Sequence, residues 1–229
     1  MSGTSAVDPA SDDYLAPRQS LRKPIAELFQ AAAALDIGVG AHLGGDRLRA
    51  AASFRAADMQ VVRHYVESMW GKRSLWPDQP HYLRFRKVLD LPPRTPESRG
   101  LTVSPATKRA VVNRDGFLCR YCELPLVPAS VRKALSRDYP AEVPWGSTNV
   151  SQHSAFQALW LQFDHVVPLT RSGTNDVDNV VASCGPCNFM KWDYHLEELG
   201  VIDPRSRTPV TSCWDGLTRL LGGVERCVL

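Results

Sequence analysis

Apolar residues recur at three- and four-residue steps through the first third of the chain, and that spacing predicts helices. The run LRKPIAELFQAAAALDIG predicts one from about Arg18 to Asp36, with Pro24 near its first turn and Gly38 after its end. Beyond the glycine-rich turn VGAHLGGD, a longer helix is expected from about Asp46 to Trp70. Its apolar seam would be Leu48, Ala51, Ala52, Met59, Val62, Val66 and Met69, with Arg49, Arg55 and Arg63 alternating as a basic face. Such a face is either solvated or laid along phosphates or a partner. Residues 71–100 are dense in Pro, Arg and aromatics. They predict a short helix near Tyr82–Leu89 and then a proline-rich connector. Trp76, His81 and Tyr82 are read there as helix-pair packing or as a base-stacking surface.

Composition narrows the class. With 229 residues and 44% hydrophobic positions the chain has room for a real core, and no run is long and apolar enough to span a bilayer. Residues 1–17 are polar and acidic and predict a disordered tail. They show no basic and apolar signal pattern, so a cytoplasmic protein is expected. The net charge of +3 is modest but unevenly spread. Residues 14–100 hold 14 Lys and Arg against 8 Asp and Glu, whereas residues 101–200 hold 9 against 10. Any long-range attraction for a polyanion would therefore come from the N-terminal half, 18–100.

The chemistry-bearing residues lie in the second half. Four of the six cysteines form two pairs, Cys119-Arg-Tyr-Cys122 and Cys184-Gly-Pro-Cys187. Each such turn aims two sulfurs at one ion, so the four suit a closed tetrahedral site for structural Zn²⁺. The other readings are unrelated reduced pairs or a redox pair, and Cys213 and Cys227 read as ordinary thiols. Between the pairs stand Asp164-His165, then Asn179, and Asn188 follows the last cysteine directly. This constellation resembles the HNH (ββα-metal) endonuclease family in its four-cysteine zinc form. The resemblance covers about residues 107–200; residues 1–100 carry no such motif.

With the N-terminal helices read from their spacing over 18–100, an α+β fold is expected: a helical N-terminal part, then the HNH domain that the resemblance implies over 101–200, then a tail over 201–229. The resemblance implies a helix at Thr107–Asp115, a first strand at Leu161–Val167, a second at Asn179–Ala182, and a last helix from about Pro186–Asn188 to Leu199. RSGTND supplies turn chemistry between the strands, and Gly200 a stop. Residues 123–158 are an insertion relative to compact modules, with helices expected at about Ala129–Arg137 and Ser151–Trp160. A short helix at about Trp214–Leu221 is expected in the tail.

The resemblance also implies roles. His165 is the general base, and Asp164 and Asn188 hold a catalytic Mg²⁺ or Mn²⁺, their oxygens suiting a hard ion. Asn179 supports the loop. Successive strand residues face opposite ways, so a strand end or bulge is expected at Asp164-His165. Asn188, Lys191 and His195 would share one helix face, making Lys191 a candidate phosphate contact; Arg171 is a second. The implied substrate is nucleic acid, DNA before RNA, with a protein partner or second copy on the N-terminal helices. The competing readings are a non-catalytic zinc module that binds nucleic acid or protein, and a nuclease active only inside a larger defence or mobile-element assembly.

Overall fold

A computed structural model describes residues 17–70 and 102–222. The N-terminal tail, the Tyr82–Leu89 helix, its aromatic cluster and connector, and Cys227 lie outside the described residues. The fold is α+β: mainly helical, with one two-stranded antiparallel sheet.

Helix α1 spans Ala26–Leu43, starting just past Pro24 and burying Leu28, Ala31, Ala32, Leu35 and Val39. It does not stop at Gly38. A Cβ there would lie 2.4 Å from Phe54 Cε1, so this glycine lets α1 approach α2 (Arg47–Ala57) closely. The turn comes instead at Gly44-Gly45, with Gly45 at φ +82. Asp46 then caps α2 by accepting from the Arg49 amide.

The long helix expected from Asp46 to Trp70 is two helices, α2 and α3 (Gln60–Trp70). Asp58 breaks it: its carboxylate accepts from both Arg63 Nη2 (2.9 and 3.0 Å) and from the amide and hydroxyl of Ser154. The break resets the helical phase. Leu48, placed on the seam by its spacing, is 87% exposed, and α2 buries Ala50, Phe54 and Ala57 instead. The basic face is partly consumed too, since Arg63 also donates to the carbonyls of Val150 and Gln152, and Arg55 pairs with Glu142.

Helix α4 (Pro105–Asp115) opens on Ser104, whose hydroxyl accepts from the Thr107 amide, and closes at Gly116 with φ +67. Its last residue, buried Asp115, accepts from the Ala182 amide and pairs with Arg114, which in turn donates to the carbonyls of Val177 and Val180. The inserted stretch forms α5 (Ala129–Asp138) and a shorter α6 (Ser154–Ala158) than its pattern predicted. Strand β1 (Gln162–His165) pairs with β2 (Val180–Ser183), and α7 (Gly185–Lys191) follows.

Helix α7 ends far short of Leu199. Trp192 adopts φ +52, and Glu197–Leu199 is a separate 3₁₀ turn closed by Gly200. His195 is therefore not on the face of Asn188 and Lys191. The tail supplies a 3₁₀ turn at Thr218–Leu221, and Cys213 is disulfide-bonded rather than a free thiol.

One apolar core runs from Leu28 to Leu217. Helix α3 packs on α6 and α7, and His153 at the start of α6 ties in α2: fully buried, its Nε2 donates to the Phe54 carbonyl at 2.9 Å. The N-terminal helices thus form the back wall of the half that carries the motifs. Among the described residues no helix is long and apolar enough to cross a membrane.

Candidate active site

The two cysteine pairs converge. Sγ atoms of Cys119, Cys122, Cys184 and Cys187 all lie within 4.8 Å of one another, and Cys122 and Cys184 are 3.7 Å apart. A zinc–sulfur bond of about 2.3 Å makes the edge of a sulfur tetrahedron about 3.8 Å. Local structure sets this up: Cys119 exchanges backbone bonds with Glu123 and Leu124, and Arg120 N binds the Ala182 carbonyl, docking the first pair on β2. The second pair opens α7, with the Cys184 sulfur accepting from the Cys187 amide.

The electrostatics ask for a cation. Burial pushes the Cys119 thiol up, but hydrogen bonds from the other three sulfurs outweigh it and hold Cys119 well below its ordinary value. Burial pushes the Cys184 thiol well up, and its neighbours Cys119 and Cys122 push the same way. Cys187 is raised well above its ordinary value by hydrogen bonding to Cys119. The four residues fit Zn²⁺ in number, donor type and spacing. Tyr65 of α3 is buried beside them, and burial with the sulfur charges raises its hydroxyl pKa.

Strand β1 then divides two neighbours between two environments. The ladder is regular, Asp164 opposite Val181 and His165 opposite Val180, with no bulge, and it ends at His165. Asp164, 4% exposed, faces inward. Its Oδ2 accepts from the Tyr121 hydroxyl at 2.5 Å, and its Oδ1 lies 3.3 Å from Lys191 Nζ. Burial raises its pKa, opposed first by the Lys191 charge and then by those hydrogen bonds. His165 is half-exposed, its Nε2 2.8 Å from Asn175 Oδ1.

Asn179 ties the connecting loop to the strand end. Its Oδ1 accepts from the Val167 amide, and its Nδ2 donates to the carbonyls of Val167 and Thr174. Gly173 makes that packing possible, since a Cβ there would fall 1.9 Å from Val167 O. Asn188 is half-exposed on the second turn of α7.

Two expected phosphate contacts are placed otherwise. Lys191, 3% exposed, donates to the His165 carbonyl at 2.7 Å and pairs with Asp164, because the short α7 turns its last residue under β1. Arg171 is largely buried, its Nη2 4.0 Å from Glu198 Oε1. Sequence reasoning missed Tyr121 and Asn175. Tyr121 sits inside the first cysteine pair and Asn175 inside the turn run, where residue type alone gives no sign of a partner.

Residues 155–193, from α6 through α7, match the family model described as HNH endonuclease. No curated protein and no solved structure matches the chain. The matched segment is similar to the HNH endonuclease family, and the four-cysteine cluster beside it is compatible with zinc. Nuclease-type chemistry on nucleic acid is the general function of that family, and such nucleases use a divalent metal.

Proposed function

We propose that the protein is a metal-dependent endonuclease that hydrolyses phosphodiester bonds of DNA, leaving 5′-phosphate and 3′-hydroxyl ends. The observation that carries this reading is the His165–Asn175 contact at the open end of β1. The Asn175 oxygen accepts, so Nε2 donates, and in the neutral imidazole Nδ1 is then the nitrogen with a free lone pair. That nitrogen takes a proton from the attacking water. Asn179 is a positioning residue, holding Val167 and Thr174 so that the loop keeps Asn175 against His165.

Asp164 and Asn188 offer hard oxygen donors and fit Mg²⁺ or Mn²⁺ in donor type. The ion would neutralise charge on the scissile phosphate and stabilise the leaving oxygen. Asp164 has one oxygen to give. Its 2.5 Å bond to Tyr121 is tight, whereas the 3.3 Å contact with Lys191 exceeds the roughly 2.8 Å of a charge-assisted bond. Oδ1 is the exchangeable atom, and the Lys191 bond to the His165 carbonyl keeps β1 on α7 throughout.

A second reading is favoured by that same burial: with both Asp164 oxygens partnered inside the protein, the module could bind nucleic acid without cutting it. Supercoiled plasmid incubated with Mg²⁺ or Mn²⁺ separates the two. The wild type should convert it to open-circle or linear DNA, and a His165→Ala variant that keeps its zinc should lose at least about a hundredfold in rate. Equal cutting by both proteins overturns the role of His165; DNA binding without cutting by the folded, zinc-loaded wild type selects the second reading.

A further inference from the structure

Between α4, the first turn of α5 and β1 lies an open cleft of about 740 Å³, within the range of ligand sites. Lys108 and Arg109 of α4 line it, as do Trp160 and Phe163, and no carboxylate does. Among the described residues neither cation forms an ion pair; Lys108 Nζ instead lies 5.5 Å from the Phe163 ring centroid. Pro128, Ala129 and Ser130 complete the lining. Helix α5 starts at Ala129 with no side-chain cap, so its first amides add positive potential to the same cleft.

The cleft adjoins the candidate base. Phe163 precedes His165 by two on β1, so both side chains leave the same face of the strand. Two residues of extended chain separate them by about 7 Å, close to one nucleotide step. One wall belongs to the inserted stretch, since residues 128–130 lie within it.

We propose that this cleft is a nucleotide subsite. It holds one unpaired nucleotide of the substrate strand beside the cut, its phosphate on Lys108 and Arg109 and its base against Phe163 and Trp160. Cations with no ion-pair partner among the described residues call for an anion, and aromatic side chains beside them call for a planar apolar face; a nucleotide supplies both. A stacked duplex hides its base faces, so the occupant is an unstacked nucleotide. The preferred substrate therefore carries a single-stranded segment, as at an overhang or a junction. Its place beside the cut rests on the nuclease reading, but the binding does not.

The test uses the full, zinc-loaded His165→Ala chain in magnesium-free buffer, with a fluorescent oligothymidylate of about six nucleotides as probe. Lys108→Ala/Arg109→Ala removes the cations from accessible positions, and Phe163→Leu keeps apolar volume while deleting the aromatic face. Each should weaken binding about tenfold or more. The double variant should also flatten the dependence of log K on log salt by about 0.7, one phosphate's worth for a single strand. A blunt duplex should compete poorly, and the same duplex with an overhang well.

Unchanged oligonucleotide affinity in both variants overturns the subsite. So does a loss confined to the cation variant with the blunt duplex competing equally, which would mark a plain backbone contact. The nuclease reading fails separately. If wild type never cuts while binding still depends on Lys108, Arg109 and Phe163, the subsite stands alone. If cutting depends on His165 while binding ignores those side chains, only the subsite falls.

Discussion

The cysteine cluster and the Asp164 pocket meet the same short helix and are built on opposite principles. Cys184 and Cys187 open α7, and Lys191 closes it. In the cluster four like donors face one another, three of them buried, and none of the four carries a counter-charge of its own. In the pocket one carboxylate already holds an ammonium and a phenol. A cluster of thiols depends on its ion to be stable, whereas a carboxylate with an internal counter-charge is stable without one. On the proposed reading, the protein thereby separates a metal that would hold the module together from a metal that would come and go with catalysis.

The sharpest way to break that contrast is to remove the first metal. Structural zinc in small modules contributes about 10–16 kcal/mol of apparent binding energy that is also folding energy. A Cys184→Ser chain, or wild type stripped by a strong chelator, should lose cooperative melting of the HNH half, read by circular dichroism alongside zinc content. A chelated protein that melts like the loaded one would mean that the core running from Leu28 to Leu217 holds the cluster unaided.

The next largest effect falls on the pocket. Lys191→Ala leaves Asp164 buried and without the ammonium it pairs with, at a cost of about 3–5 kcal/mol in urea unfolding. Asp164→Leu/Lys191→Met should recover most of that, because the penalty belongs to the unpaired charge rather than to the lost pair. If the single variant were as stable as wild type, the ammonium would not be what stabilises Asp164, and the contrast with the cluster would fail.

The two regions also differ in how far the sequence alone reveals them. The cluster was legible because each ligand pair lies within one tight turn, where spacing fixes geometry. The sheet and α4 were legible only through the resemblance to the HNH family, which those motifs carry. The partners of Asp164 were not: Tyr121 is 43 residues away and Lys191 is 27, and only the packing of α7 under β1 brings them in. The same holds for Gly38, whose local preference as a helix stop lost to a tertiary contact with Phe54. It holds for Asp58 as well, a helix breaker only because Ser154 and Arg63 converge on it. Lys191 was misread as a phosphate contact because α7 was extended to Leu199, past a left-handed residue that spacing does not show.

A smaller effect tests the loop between the regions. Asn179→Ala forfeits three hydrogen bonds, about 2 kcal/mol after water replaces part of them. Zinc content should not change, but the rate of plasmid cutting should fall with little change in DNA affinity. An equal fall in affinity would make Asn179 part of the binding surface rather than a support for His165.

The smallest effect concerns the joint that presses the N-terminal helices against α6. Burial depresses the pKa of His153, outweighing the hydrogen bond to the Phe54 carbonyl and the charge of Asp58, which favour its protonated form. The unfolded chain, with an ordinary imidazole near 6.5, therefore takes up the proton first as the pH falls. The stability contributed by neutral His153 is complete above about pH 6.5 and drains away as the pH drops toward the lower folded value. Zinc loss adds its own acid sensitivity, because thiolates must be protonated to release the ion, so the melting curve of wild type alone mixes the two. A His153→Gln chain separates them. It should keep the zinc-linked decline and lose the rest, so that its Tm falls a few degrees less than wild type between pH 7 and pH 5. Parallel declines in the two proteins would assign the acid sensitivity to the cysteines, and His153 would then contribute nothing pH-dependent to the joint.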